Sequence, residues 1–232
     1  MTYYDDDAPD YTPGRVPGER PGPTGGLRDR NRRERTRQIC ETSLVLFLER
    51  GVEVASVDEI SRAAGIAKGT FYRYFENKDQ VVASLVGPLH AAVMEALDDA
   101  SERLESCRVS GEVVNTFHYL AAAMLNAIMR DPSLSRLYLQ CRRLPRTGLV
   151  EPLHALADEV FDRCISFGQI AQAHGLVPAG DLTTVTAMEI GAVEELLHQH
   201  LEGLRPQASP EALLHVAVQH VLAAFSAGVG SA

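Results

Sequence analysis

The chain is poor in cysteine: four in 232 residues, at positions 40, 107, 141 and 164, far apart and with no C-x-x-C pair. That spacing excludes a disulfide framework or a zinc finger and reads as buried, reduced thiols. An uninterrupted apolar run of about 18 residues is missing, as is the apolar core of a signal peptide, so a cytoplasmic protein with no membrane partner is expected. Alternating β-branched runs bounded by turn residues are absent, which argues against strands, and no internal repeat is present. A nucleophile, metal or phosphate-loop constellation is lacking too, so neither an enzyme nor a cofactor is expected. Eight histidines do not make a metal site: His198 and His200 fall about 200° apart on a helix, and His215 and His220 are five residues apart rather than three or four.

Basic residues are outnumbered, 22 Lys and Arg against 31 Asp and Glu, for a net charge of −9. Their distribution reverses the first impression. Residues 1–26 carry two basic and five acidic groups, residues 27–80 eleven and nine, and residues 81–232 nine and seventeen. Only the middle segment is positive, and within it Arg28, Arg30, Arg32, Arg33, Arg35 and Arg37 face only Asp29 and Glu34. The stripe fits a solvated linker running into a helix, and it equally fits contact with nucleic acid along phosphates or a minor groove. Residues 1–26 hold five prolines and five glycines with almost no aliphatic side chains; a disordered tail over 1–27 is expected. With 45% hydrophobic residues, the remainder can bury a core.

What is present is helical periodicity. Ile39, Leu44, Leu46, Phe47 and Leu48 define a first helix from about residue 30, stopped by Gly51. Ser56-Val57-Asp58-Glu59 reads as a capping box opening a short second helix with Val57, Ile60 and Ala64 on one face, ended by Gly65. After the tight turn Ile66-Ala67, residues Lys68 to Phe75 form a third helix of about two turns, and Asn77, with Gln80 three residues on, caps a long fourth. Further helices are separated by breaks at Ser110-Gly111, Asp131-Pro132, Pro145 to Gly148, Gly175 to Gly180 and Gly203 to Pro210.

On a helical wheel Phe71 and Phe75 of the third helix fall together, Gly69 and Arg73 lie opposite, and Thr70, Tyr72 and Tyr74 flank them. A short helix with an outward face this polar and aromatic suits a DNA major groove. There Gly69 permits close approach, Arg73 reaches a guanine edge or a phosphate, Thr70 a thymine methyl or a phosphate, and tyrosine hydroxyls bond phosphates. Lys78 adds charge toward the backbone.

The run Ser56-Val57-x-x-Ile60-x-x-Ala63-Ala64-Gly65-Ile66-x-Lys68-Gly69-Thr70-Phe71-Tyr72-x-Tyr74-Phe75-x-Asn77-Lys78 closely resembles the signature of the TetR (tetracycline repressor) family. The likeness covers about residues 32–82, with Phe47 and Gly51 included. It implies that the third helix is the recognition helix. Lys68, Gly69, Thr70, Tyr72 and Tyr74 then stand where members touch DNA, Ser56 and Val57 where the second helix meets phosphate, and Lys78 where the fourth does; Arg73 is at a variable position. Two departures are Ala67, where many members carry a capping serine, and the long segment before the first helix.

Beyond residue 80 the resemblance leads. It implies a ligand pocket among the later helices and dimerisation through the last two. For the pocket, Phe117, His118, Met124, Tyr138, Cys141, Phe161, Cys164 and Phe167 offer apolar surface or a polar handle. For the dimer, Ala187, Gly191 and Ala192 lie on one helix. The last helix, Glu211 to Phe225, shows the stripe Leu214, Val218, Val221, Leu222 and Phe225, with the small residues Ala212, Ala217, Ala223 and Ala224. The expected architecture is all-α: a three-helix DNA-binding domain with a helix-turn-helix over 28–80, then a larger helical ligand-binding and dimerisation domain over 81–228. The expected function is a homodimeric repressor of a double-stranded DNA operator, released by a small-molecule effector. A helical protein-binding adaptor, or an activator without such an effector, is the alternative.

Overall fold

A computed structural model describes residues 26–220, apart from 108–109, 147, 174, 176–179, 205–208, 210–211, 213–214 and 217, and apart from the side chains at 29 and 110. The expected tail therefore lies outside the described residues up to position 25. So do Leu214, Ala217, Val221, Leu222, Ala223, Ala224 and Phe225 of the expected last helix. All regular structure among the described residues is helical: α1 (Leu27–Arg50), α2 (Val57–Ala63), α3 (Lys68–Phe71), α4 (Lys78–Ser106), α5 (Ser110–Arg130), α6 (Pro132–Cys141), α7 (Glu151–Ala173) and α8 (Leu182–Leu201). The chain divides into two compact units, one reaching to Pro88 and taking in Ser133–Ala155, the other made of Leu89–Pro132 and Leu156 onward.

In the first unit α1 buries Ile39, Cys40, Ser43, Leu44 and Phe47, an i, i+4 stripe that commits one face to the core. It begins three residues before the expected start. Gly51 stops it at φ +89°, a backbone geometry costly for any side chain, and its N–H donates to the Phe47 carbonyl at 2.9 Å. Ile60, Phe71, Phe75, Val81 and Leu85 complete the core of the three-helix region, each at most 1% exposed. From the second stretch of this unit Leu134, Leu137, Cys141, Val150 and Leu153 are buried as well.

Both α4 and Pro88 within it bear on the division, because α4 crosses from one unit to the other at that proline. The helix is long and apolar enough to cross a membrane, yet Val81, Val82, Leu85, Val86, Val93 and Leu97 along it are all buried inside the protein. In the second unit Ala100, Leu104, Val113, Phe117, Phe167 and Val218 belong to one cluster, with the Phe117 and Phe167 rings edge-on at 4.9 Å. Gly168 lets α7 approach the start of α8 closely, since a Cβ there would sit 2.9 Å from a Leu182 methyl. Asp181 caps α8 by accepting from the amides of Thr183 and Thr184. Arg163 with Asp98, and His90 with Glu159, join α7 to α4 at 2.7 and 2.6 Å.

Candidate nucleic-acid interface

The interface is assembled by caps. Ser56 Oγ accepts from the Glu59 amide at 3.2 Å while the Glu59 carboxylate accepts from the Ser56 amide at 2.9 Å, closing the capping box that starts α2. The bonds that this carboxylate accepts from Ser56, the amide's foremost and the hydroxyl's next, hold it below its usual pKa, and Arg50 at the end of α1 pairs with the same carboxylate. At the other end Gly65 takes φ +64°, its N–H donates to Arg62, and the Ile66 N–H reaches back to Ser61. This pair of bonds is a Schellman stop, which turns the chain sharply into α3. Gln38 of α1 donates its side-chain N–H to the Ala64 carbonyl at 3.0 Å, tying the first helix to that turn.

α3 is shorter than the two turns expected. One α-helical turn, Lys68–Phe71, is followed by tighter turns in which Arg73 bonds Thr70 and Tyr74 bonds Phe71, before Phe75 returns to the Phe71 carbonyl at 3.0 Å. Ala67 at its start provides no side-chain cap. At its far end Asn77 Oδ1 already accepts from the Gln80 amide to begin α4, leaving little chain between.

The wheel holds nonetheless. Phe71 and Phe75 are buried, with rings 5.8 Å apart, and act as the anchors. Gly69, Tyr72 and Arg73 are exposed, Tyr72 at 46%, and Thr70 and Tyr74 are half-buried on the flanks. No atom lies within 4 Å of where a Gly69 Cβ would be, so that side of the helix is open. Ser56 is exposed and Val57 half-buried at the start of α2. Lys68 pairs with Asp58 of α2 at 2.8 Å, and this bond raises its pKa. Both side chains are more than half exposed, so solvent screens the pair and it adds little to stability.

Lys78, expected to add charge toward the DNA backbone, is engaged within the protein. Its ammonium donates to the carbonyls of Val52, Glu53 and Ala55 at 3.0, 3.1 and 2.7 Å, which engages all three of its donors. Partial burial lowers its pKa. Lys78 thus clamps the α1–α2 connection onto the start of α4. Side-chain spacing alone does not signal this task, because the partners are backbone carbonyls far off in sequence; the ties made by Gln38 and Asp58 are hidden in the same way.

Residues 39–85 match the profile of the bacterial regulatory proteins, tetR family. That segment carries the family's profile, and the match does not extend over the rest of the chain. Among curated relatives, it is 30% identical over 139 residues to the HTH-type transcriptional regulator TcmR of Streptomyces glaucescens, covering 54% of this chain and 62% of that protein. With the HTH-type transcriptional repressor KstR of Mycolicibacterium smegmatis the identity is 24% over 140 residues, covering 59% and 66%. The chain thus spans less than two thirds of the length of both. FadR from Bacillus subtilis, solved in complex with stearoyl-CoA, has the same fold at a TM-score of 0.61 and 16% identity, over 80% of this chain and 97% of that one.

The eight pocket candidates are divided between the two units. Tyr138 and Cys141 lie on α6 in the first unit, whereas Phe117, His118, Met124, Phe161, Cys164 and Phe167 lie in the second. Phe117 and Phe167 are core residues in mutual contact. His118, half-buried, has Nδ1 2.9 Å from the Val114 carbonyl and its ring 5.9 Å from that of His215. Met124, Phe161 and Cys164 are half-buried. Burial pushes the thiols up, Cys40 to about 12 and Cys141 and Cys164 to about 11, so they stay protonated at neutral pH. Among the described residues no three His, Cys, Asp or Glu side chains gather as a metal would need.

Proposed function

We propose that this regulator is a cytoplasmic, DNA-binding repressor that grips a pseudo-palindromic operator as a homodimer and releases it when a small apolar or amphipathic effector binds. The observation that carries this is the outward face of α3. Gly69, Tyr72 and Arg73 stand exposed on a helix fixed from behind by buried Phe71 and Phe75, which is what a helix entering a major groove needs. Arg73 reads a base edge or grips a phosphate. Thr70, Tyr72 and Tyr74, with Ser56 and Val57 at the start of α2, hold the backbone, and Lys68 exchanges Asp58 for phosphate. Two such helices about 34–36 Å apart engage successive major grooves.

Residues 28–80 read DNA in this scheme, and residues 81–228 bind effector and partner subunit. The exposed apolar side of α8, with Met188 63% exposed beside Ala187, Gly191 and Ala192, supports dimerisation through α8 and the last helix. The stearoyl-CoA bound to FadR of Bacillus subtilis supports an amphipathic effector held by residues of the Phe117, His118, Met124, Phe161, Cys164 group. Effector binding shifts the population toward a form that fits DNA less well.

The test is selection of bound duplexes from a random DNA pool by the purified chain at near-physiological salt. A palindrome with half-sites about one helical turn apart is expected, its affinity falling steeply with salt and abolished by stearoyl-CoA as a first probe. Transcription from a promoter carrying that palindrome should fall when the protein is added; a rise would make it an activator. If a folded, dimeric preparation selects nothing above background, the DNA-binding reading fails in favour of a helical adaptor.

A further inference from the structure

The sequence leaves the arginine stripe before residue 38 open between linker and nucleic-acid contact. In the structure it is helical, exposed at Arg28, Arg30 and Arg33 and half-buried at Arg32, Arg35 and Arg37. α1 starts at Leu27, but its first buried residue is Ile39, so the twelve residues Leu27–Gln38 form about 18 Å of helix with no described side chain in the core. Helices in proteins are held mainly by burying one face, and this segment is covered only in part, at Arg32 and from Arg35 to Gln38. Its charge is also arranged against the helix: Arg28 and Arg30 stand at the N-terminal end, where the macrodipole disfavours cations. Both are exposed.

Polar contacts brace the base of the segment along α1, and one of them, from Gln38, reaches the turn before α3. Arg37 pairs with Glu34 at 2.6 Å and Glu41 at 3.1 Å. Arg35 donates to Gln38 Oε1 at 2.6 Å, and Gln38 donates onward to the Ala64 carbonyl, next to Gly65 and the entry to α3. The cationic projection therefore leaves the core at the turn that leads into the recognition helix. Its length exceeds the roughly 12 Å width of a major groove, enough to pass from the groove to the flanking strand.

We propose that residues 27–38 are a second DNA-contacting element, an arginine arm whose Arg28 and Arg30 bind backbone phosphates flanking the site read by α3. A polyanion supplies counter-charge for the exposed Arg28 and Arg30, which stand against the helix dipole. The inference rests on the DNA-binding function above and adds a partner surface to it.

The test compares the full chain with its Arg28→Ala/Arg30→Ala and Arg28→Lys/Arg30→Lys variants on the palindrome that the wild type selects. Affinity is titrated from about 50 to 200 mM salt. The alanine variant should lower the slope of log affinity against log salt by about 1.8 per subunit, at about 0.9 for each phosphate that is no longer neutralised, with relative affinities for base-substituted palindromes unchanged. The lysine variant should retain the wild-type slope. An unchanged slope in the alanine variant overturns the arm while leaving the function standing, and altered base preferences overturn its assignment to phosphate. Failure of the wild type to select any duplex overturns the function itself and, with it, the arm.

Discussion

The helix-turn-helix is fastened by bonds that close over a few residues: Ser56 with Glu59, Ile66 with Ser61, Asn77 with Gln80. The second unit is fastened by apolar packing between residues distant in sequence, Phe117 on Phe167 and Gly168 under Leu182. In the first region each named side chain has a defined task, and exchanging it breaks a particular geometry. In the second, volume and hydrophobicity suffice for packing, so many residues would serve equally well, and the same pattern is compatible with a core, a pocket wall or a subunit interface.

The largest effect that would sharpen this contrast comes from matched cavities. Phe71→Ala and Phe167→Ala each remove a ring at most 3% exposed and should each cost about 3–5 kcal/mol in denaturant unfolding. Only Phe71→Ala should also weaken operator binding by the fraction that remains folded, because it releases the anchor of α3. Equal binding losses in both variants would erase the distinction between the regions. Next in size is Lys78→Ala, which strips the donor from the carbonyls of Val52, Glu53 and Ala55 and should cost about 1–3 kcal/mol. Its salt dependence of DNA binding should match that of the wild type. A slope smaller by about one would return Lys78 to the phosphate backbone.

Smallest is a gain. Ala67 already has the extended backbone of an N-cap, φ −70° and ψ 147°, without a side-chain acceptor, so Ala67→Ser should add about 0.5–2 kcal/mol. Thermal unfolding measures it directly; no gain would mean that the tightened turns after Phe71 leave no amide free for the hydroxyl.

These expectations track what the sequence makes visible. The capping box, the Gly51 and Gly65 stops, the Asn77 cap and the split of α3 into anchors and outward face are legible because each depends on residue types three to five positions apart. The role of Lys78 is not, since its partners are carbonyls 23–26 positions earlier and a sequence carries no sign of where a carbonyl points. The brevity of α3 escapes for a related reason: aromatic and polar spacing over Lys68–Phe75 is the same whether the last turns are α-helical or tighter. Helical periodicity identifies α6 but not the unit to which its Tyr138 and Cys141 belong.

That tracing bears on modularity. The chain leaves the first unit at Pro88, returns at Ser133 and departs again after Ala155, so the module bearing the helix-turn-helix is written in two separate stretches. A cut after α4's proline would discard Leu134, Leu137, Cys141, Val150 and Leu153, all buried and all belonging to that module. Recombination that moves the helix-turn-helix together with its own core must therefore carry residues 133–155 along with it. Such a chain diversifies more readily by substitution within each stretch than by exchange of whole halves.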